Sequence, residues 1–115
     1  MSRHQTASEY VTEQVTTWPG VVAGLGWRGE LSFRFGGREI GHLHGSRAAH
    51  FGFPKPVWRQ LRAQGRIEPH PVFPDREGLA ARRMEDIDDV HDVIELMRLN
   101  YDRLAERRED APAAA

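Results

Sequence analysis

The chain has 115 residues, no cysteine, and a formal net charge of −1 from 16 basic and 17 acidic residues. One domain is expected at that length. Disulfides, thiolate metal sites and a cysteine nucleophile are excluded, and no single-sign field exists to gather nucleic acid or anionic lipid. No run of ~18 apolar residues is present, and the opening "MSRHQTASEY" lacks a signal peptide's apolar stretch. A cytoplasmic location with no membrane or nucleic-acid partner is therefore expected. Lys55 is the sole lysine, and arginine in its place, with frequent alanine, points to a GC-rich bacterial gene.

Residues 1–7 read as an irregular start. Thr6 and Glu9 fit a capping box, and Val11, Val15 and Trp18 follow as one helical stripe that Pro19-Gly20 ends. "VVAGLGW" predicts a short strand. "ELSFRFGGREIGHLHG" predicts a hairpin closed by Gly36-Gly37, since two adjacent glycines supply the positive φ angles of a two-residue turn. Regular pairing from that turn sets Phe35 opposite Arg38, Phe33 opposite Ile40 and Leu31 opposite His42. Leu31, Phe33, Ile40, His42 and His44 then share the apolar, inward face. Arg34 meets Glu39 on the other face as a cross-strand ion pair.

"RAAHFGF" predicts a third strand, with His50 and Gly52 on one face and Phe51 and Phe53 on the other. "PKPVWRQLRAQG" predicts a helix with Pro56 in its first turn and Gly65 as its C-terminal cap. The proline-rich "RIEPHPVFPD" is barred from a central strand position, and "GLAARRM" predicts a short edge strand. Ile87, Val90, Ile94, Met97, Tyr101 and Leu104 trace one face of a long last helix, with acidic residues 85–89 as a solvated start. The expected fold class is α+β: a small antiparallel sheet with helices packed on one face. One domain over 1–110 and a disordered tail over 111–115 complete it.

Three of the six histidines fall between His42 and His50. Two imidazoles two apart on a strand point the same way, roughly 6.5–7 Å apart, so both reach one ion or ligand. His50 arrives from the neighbouring strand, and His70 from the rigid Pro-bounded loop. Singly, each is as readily a packing or surface residue. Two imidazoles on an apolar face, however, need partners or cost ~1–3 kcal/mol each.

Metal binding is one use. Gly36, five residues, then His42-Leu43-His44 resembles the opening of a cupin metal motif, but Ala48 and Ala49 stand where a glutamate should follow. His42, His44 and His50 remain a candidate set for Zn²⁺ or Fe²⁺, with His70 a further possibility. Glu39 is expected to face away from His42. Acid–base chemistry is the other use, with an imidazole as base in a pocket walled by aromatic neighbours of Phe33 and Phe51. Trp18, Trp27 and Trp58 read as core or pocket wall, Arg66, Arg82 and Arg83 as surface groups able to clamp a carboxylate. Ser46 lacks a hydrolase elbow, and "GLGWRG" lacks a phosphate loop's Lys-Ser/Thr.

The ordered blocks "REIGHLHG", "AHFGFP", "RAQGRIEPHP" and "GLAARRMEDIDDVHDVIELMRLNYDR" resemble the luciferase-like domain family, which includes fungal luciferases. The resemblance covers about residues 30–104. It rests on Glu39, His42, His44, His50, Gly65, Glu68, His70 and Pro71 in order. It implies oxygen-dependent, oxidoreductase-type chemistry (monooxygenase- or dioxygenase-like) on a small aromatic or enolic ligand such as a polyphenolic α-pyrone, with molecular oxygen as partner and no cofactor. With the inward direction expected for His42 and His44, this reading makes His42 the base, His44 and His70 groups that position and polarise the ligand, and Glu39, His50 and Glu68 ligand-binding residues; Tyr101, on the stripe of the last helix, is added to these because its hydroxyl can reach a histidine. A non-catalytic module for a small ligand or for zinc or iron, and a pure interaction protein, stay open beside it.

Overall fold

Gly36 and Gly37, with φ of +60° and +79°, close the hairpin between β2 (Leu31–Phe35) and β3 (Arg38–His44) in the computed structural model, which describes residues 4–110. Before it come α1 (Ala7–Val15), with the Thr6–Glu9 capping box formed, and β1 (Val21–Leu25). After it come β4 (Ala48–Gly52), α2 (Lys55–Ala63), β5 (Glu68–Pro69), β6 (Leu79–Arg83) and α3 (Ile87–Asp110). The six strands form one antiparallel sheet in the order β1-β2-β3-β4-β6-β5. With the three helices this is an α+β fold. The irregular start and the tail expected at 1–3 and 111–115 lie outside the described residues.

The hairpin departs from regular pairing by one residue. Arg34 pairs with Glu39, but Phe33 pairs with Gly41, which leaves Ile40 as an extra residue. Ile40 and Gly41 are therefore both buried towards the helices, and the alternation of β3 inverts beyond them. The partner of Leu31 is Leu43, and that of His42 is Ser32. Leu43 enters the core at 1% exposure, and His42 and His44 emerge on the opposite face. The inward direction expected for the two histidines is thus overturned by the bulge. So is the separation of Glu39 from His42, since a bulge between them puts both on one face. The Arg34–Glu39 ion pair is also absent: Arg34 donates to the carbonyl of Gly37 at 3.3 Å, and the Glu39 carboxylate turns to Ser32 and His42.

Two groups hold the bulge. A Cβ on Gly41 would come within 3.1 Å of the Phe51 ring and 3.2 Å of Met97 Cε, so only glycine fits without displacement. Asn100 of α3, fully buried, donates from Nδ2 to the carbonyls of Ile40 (3.2 Å) and Gly52 (3.0 Å). It satisfies acceptors that the disrupted ladder leaves over.

The core lies between the sheet and the helices. Phe33, Ile40, Leu43 and Phe51 meet Val11 and Val15 of α1, and Val93, Leu96 and Met97 of α3. Leu61 of α2 joins the same cluster, and Gly65 (φ +71°) ends α2 in a Schellman motif, with Arg66 N–H donating to Leu61 O and Gly65 N–H to Arg62 O. α3 joins the core from Val90 onward; Ile87, expected on its buried stripe, is 40% exposed. β6 is not the expected edge, because β5 pairs outside it; Pro69 is tolerated there since β5 is the edge itself. The acidic start of α3 is partly engaged, with Arg82 Nη2 donating to Asp89 at 2.7 Å and Asp92 at 2.9 Å. Trp18 and Trp58 pack on the core, but Trp27 is 87% exposed. No helix among the described residues is long and apolar enough to cross a membrane.

Asn100→Ala would leave two buried carbonyls without donors. It is expected to lower the unfolding free energy by about 2–4 kcal/mol, read from urea denaturation; a loss under about 1 kcal/mol would mean that the bulge does not depend on Asn100.

Candidate functional site

On the face turned away from α3, neighbouring strands bring four imidazoles into one group. His42 and His44 come from β3 and His50 from β4, directly opposite His42 in the ladder. His70 follows β5, at the far edge. Ring centroids are 4.9 Å apart for His42–His44, 5.3 Å for His42–His50, 4.3 Å for His44–His50 and 4.6 Å for His50–His70. His42, His50 and His70 are half-buried, and His44 is exposed.

Hydrogen bonds assign the ring protons. Glu39 Oε2 lies 3.0 Å from His42 Nδ1, and Glu39 Oε1 accepts from the Ser32 hydroxyl at 2.8 Å. The carboxylate can only accept, so His42 carries its proton on Nδ1 and presents a lone pair at Nε2. His44 Nε2 lies 3.1 Å from that atom and is the donor of the pair. Ser32, Glu39, His42 and His44 thus form one relay. His70 Nδ1 accepts from the backbone amides of Val72 (3.1 Å) and Phe73 (3.3 Å), so its proton sits on Nε2.

Charge on the cluster is controlled by the same packing. Burial alone would push the Glu39 carboxyl up, but hydrogen bonds from His42 and Ser32 hold it below the usual carboxylate range. Partial burial, then the neighbouring His42, depresses His44. His70 is lowered by burial and by His42 and His44. His50 sits at the centre: burial, then His44, His70 and His42, bring it down to about 4. His44, His50 and His70 are thus each harder to protonate than a free imidazole, and His50 stays neutral at neutral pH.

One ring nitrogen from each of His42, His44 and His50 lies within 4.8 Å of the other two. The 3.1 Å between the Nε2 atoms of His42 and His44 is close to the ~3.3 Å edge of a tetrahedron with Zn–N bonds of ~2.05 Å. These three can hold a metal if His44 shifts its proton to Nδ1, with Glu39 orienting His42 from behind. His70 is not part of this set, because its Nδ1 holds the turn.

The other expected site residues divide. Glu68 lies beside His70 in sequence but accepts from Arg83 Nε at 3.2 Å. Tyr101 is buried on the helix side, donating to the carbonyl of Pro19 at 2.7 Å between the rings of Trp18 and Phe35, and does not reach the histidines. Phe33 and Phe51, expected beside the site, are core residues of the other face. The aromatic neighbour is Phe73, 50% exposed, with its ring 5.5 Å from that of His70. Arg66 and Arg83 pair with Glu95 and Glu68, and Arg82 with the start of α3. Ser32 and Phe73 were not expected. The sequence signal for Ser32 was Gly41, since a glycine within a strand marks a bulge, and a bulge brings Ser32 opposite His42.

The family model of the Luciferase domain matches residues 37–100, a span that runs from the hairpin turn to Asn100 and holds all four clustered histidines. No curated protein and no solved structure matches the chain.

The metal-free chain is expected to show His50 titrating at about 4 by NMR, far below its ordinary 6.5. The unfolded chain then binds more protons than the folded one between those values. His50 therefore contributes stability that is fully present above pH 6.5 and is lost as pH falls through about 4. His50→Gln is expected to flatten the fall in thermal midpoint across that window, and an unchanged slope would contradict the assignment.

Proposed function

The chain belongs to the luciferase domain family, and from that premise we propose that its histidine face is the reaction centre of an oxygen-dependent enzyme acting on a small enolic or aromatic ligand. The observation that carries this is the 3.0 Å pair between Glu39 and His42, which orients the Nε2 lone pair of His42 as a base; an incoming enol takes the place of the His44 N–H that donates to it and frees that N–H for the ligand. Glu39 stabilises the imidazolium that forms when Nε2 takes a proton, as a buried carboxylate does for histidine in hydrolytic triads. The Nε2–H groups of His44 and His70 stabilise the enolate oxygen. Val72 and Phe73, 69% and 50% exposed, supply an apolar shelf for a flat ring beside His70.

The chemistry balances without a cofactor. The enol gives its proton to His42, the enolate carbon transfers electrons to O₂ and forms a C–O bond, and His42 returns the proton to the peroxide. The face is open to solvent, so the ligand itself must cover the histidines and keep water from the peroxide. Oxygen uptake with a polyphenolic α-pyrone is expected from the purified chain. His42→Ala is expected to lower it at least about 100-fold with unchanged circular dichroism, and Glu39→Gln to lower kcat more than it changes KM. Undiminished uptake in His42→Ala would sink the assignment.

A second use of the same residues is favoured by one observation, the three histidine nitrogens within 4.8 Å of one another. In that case His42, His44 and His50 would hold zinc or iron, which would supply Lewis-acid or, for iron, redox chemistry to a ligand bound on this face. Elemental analysis of chain purified without chelator separates the two. Near-stoichiometric metal that His50→Ala loses and His70→Ala keeps supports the metal centre; a blank with uptake retained supports the cofactor-free base.

A further inference from the structure

At the edge of the sheet where β3 begins, β4 ends and β6 begins, a cleft of about 820 Å³ opens between the strand ends and the last turns of α3. Four arginines line it: Arg38, Arg76, Arg103 and Arg107. In a chain with a net charge of −1, that is a local excess of positive charge. The two acidic residues of its wall do not offset it. Glu39 is turned to Ser32 and His42, and Glu77 receives Arg59 on both oxygens, at 2.6 and 3.0 Å. Among the described residues, no carboxylate forms an ion pair with any of the four arginines.

Arg103 is the most poorly compensated of them. Its one hydrogen bond runs from Nη2 to Asn100 Oδ1 at 3.2 Å, and its Nε is enclosed with no acceptor. Burial, then the guanidinium groups of Arg107 and Arg38, depresses its pKa. Like charges held this close raise the energy of the empty cleft, and an oxyanion is the group that removes the cost, because guanidinium forks match carboxylate and phosphate oxygens. Phe53, Pro54 and Leu104 supply an apolar part of the wall. That favours an anion carried on an organic body.

We propose that this cleft is an anion-binding site that takes the carboxylate or phosphate of a small organic molecule on Arg38, Arg103 and Arg107. Glu39 contributes to the cleft wall while its carboxylate is turned to His42, so the site borders the histidine face without depending on what that face catalyses. Such a molecule is either the anionic end of a ligand that also reaches the histidines or a separate effector.

The test uses the whole chain at constant ionic strength, with benzoate and inorganic phosphate as probes and chloride as control. Saturable shifts of the Gly37, Gly52 and Gly78 amides, at millimolar or lower probe, are expected in NMR titrations. A response to benzoate alone assigns a carboxylate, and one to phosphate alone a phosphate. Arg38→Gln and Arg107→Gln, both at exposed residues and so expected to fold, should each weaken the response about tenfold or more. His42→Ala should leave it unchanged, which separates this site from the reaction centre. No saturable shift with either probe, or equal binding by both arginine variants, overturns the proposal.

Discussion

One extra residue in β3 decides what this molecule presents to its surroundings. In regular pairing, Ile40 would oppose Phe33, and His42 and His44 would enter the core in place of Leu43. Burying two imidazoles without partners costs ~1–3 kcal/mol each, and expelling Leu43 forfeits a further ~1.5–3 kcal/mol. The bulge costs one disrupted ladder position, whose freed carbonyl at Ile40 is met by Asn100. The balance favours the bulge by several kcal/mol on these magnitudes. The same balance sends the histidines outward, because a shift of one residue exchanges the faces of everything beyond it.

The two faces then serve different ends. Phe33, Ile40, Leu43 and Phe51 are committed to the helices. The opposite face gathers side chains that lie far apart in sequence: Ser32, Glu39, His42, His44, His50 and His70. They meet because β2, β3 and β4 are consecutive in the sheet and β6 and β5 follow directly. Burial and crowding disfavour protonation of His44, His50 and His70. His50, surrounded by three other imidazoles, resists protonation most strongly, while the Glu39 carboxylate anchors one end of the relay. A rigid sheet thus holds ring nitrogens at spacings that loops would not maintain.

Much of the fold was legible in the residues. The Thr6–Glu9 box, the Gly36-Gly37 turn, the Gly65 cap and the stripe of α3 from Val90 onward each follow from local chemistry that tertiary structure had no reason to override. The grouping of His42, His44 and His50 was legible too, since it needed only the adjacency of β3 and β4, whereas His70 joins them through the placement of β6 and β5 beyond β4. What failed was parity. Alternation counted from the turn gives the wrong face after Ile40, because the bulge answers to a non-local fact: Phe51 and Met97 leave no space beside Gly41, and Asn100, 60 residues on, supplies the missing donor. Tyr101 was misplaced for a related reason. Its hydroxyl could be partnered by any nearby carbonyl, and the one it found, that of Pro19, belongs to the chain leaving α1.

Asn100 ties these levels together. Its Nδ2 holds the bulge that turns the histidines outward, and its Oδ1 accepts from Arg103 at the mouth of the arginine cleft. One buried amide therefore touches both the strand that carries the imidazoles and the cation cluster at the strand ends. Pulling Arg103 towards an anion would weaken its bond to Oδ1, but Nδ2 would keep both of its carbonyls. The histidine face is in this way insulated from changes in the cleft at the backbone, and the two adjoin at Glu39, a residue of the cleft wall whose carboxylate is turned to His42.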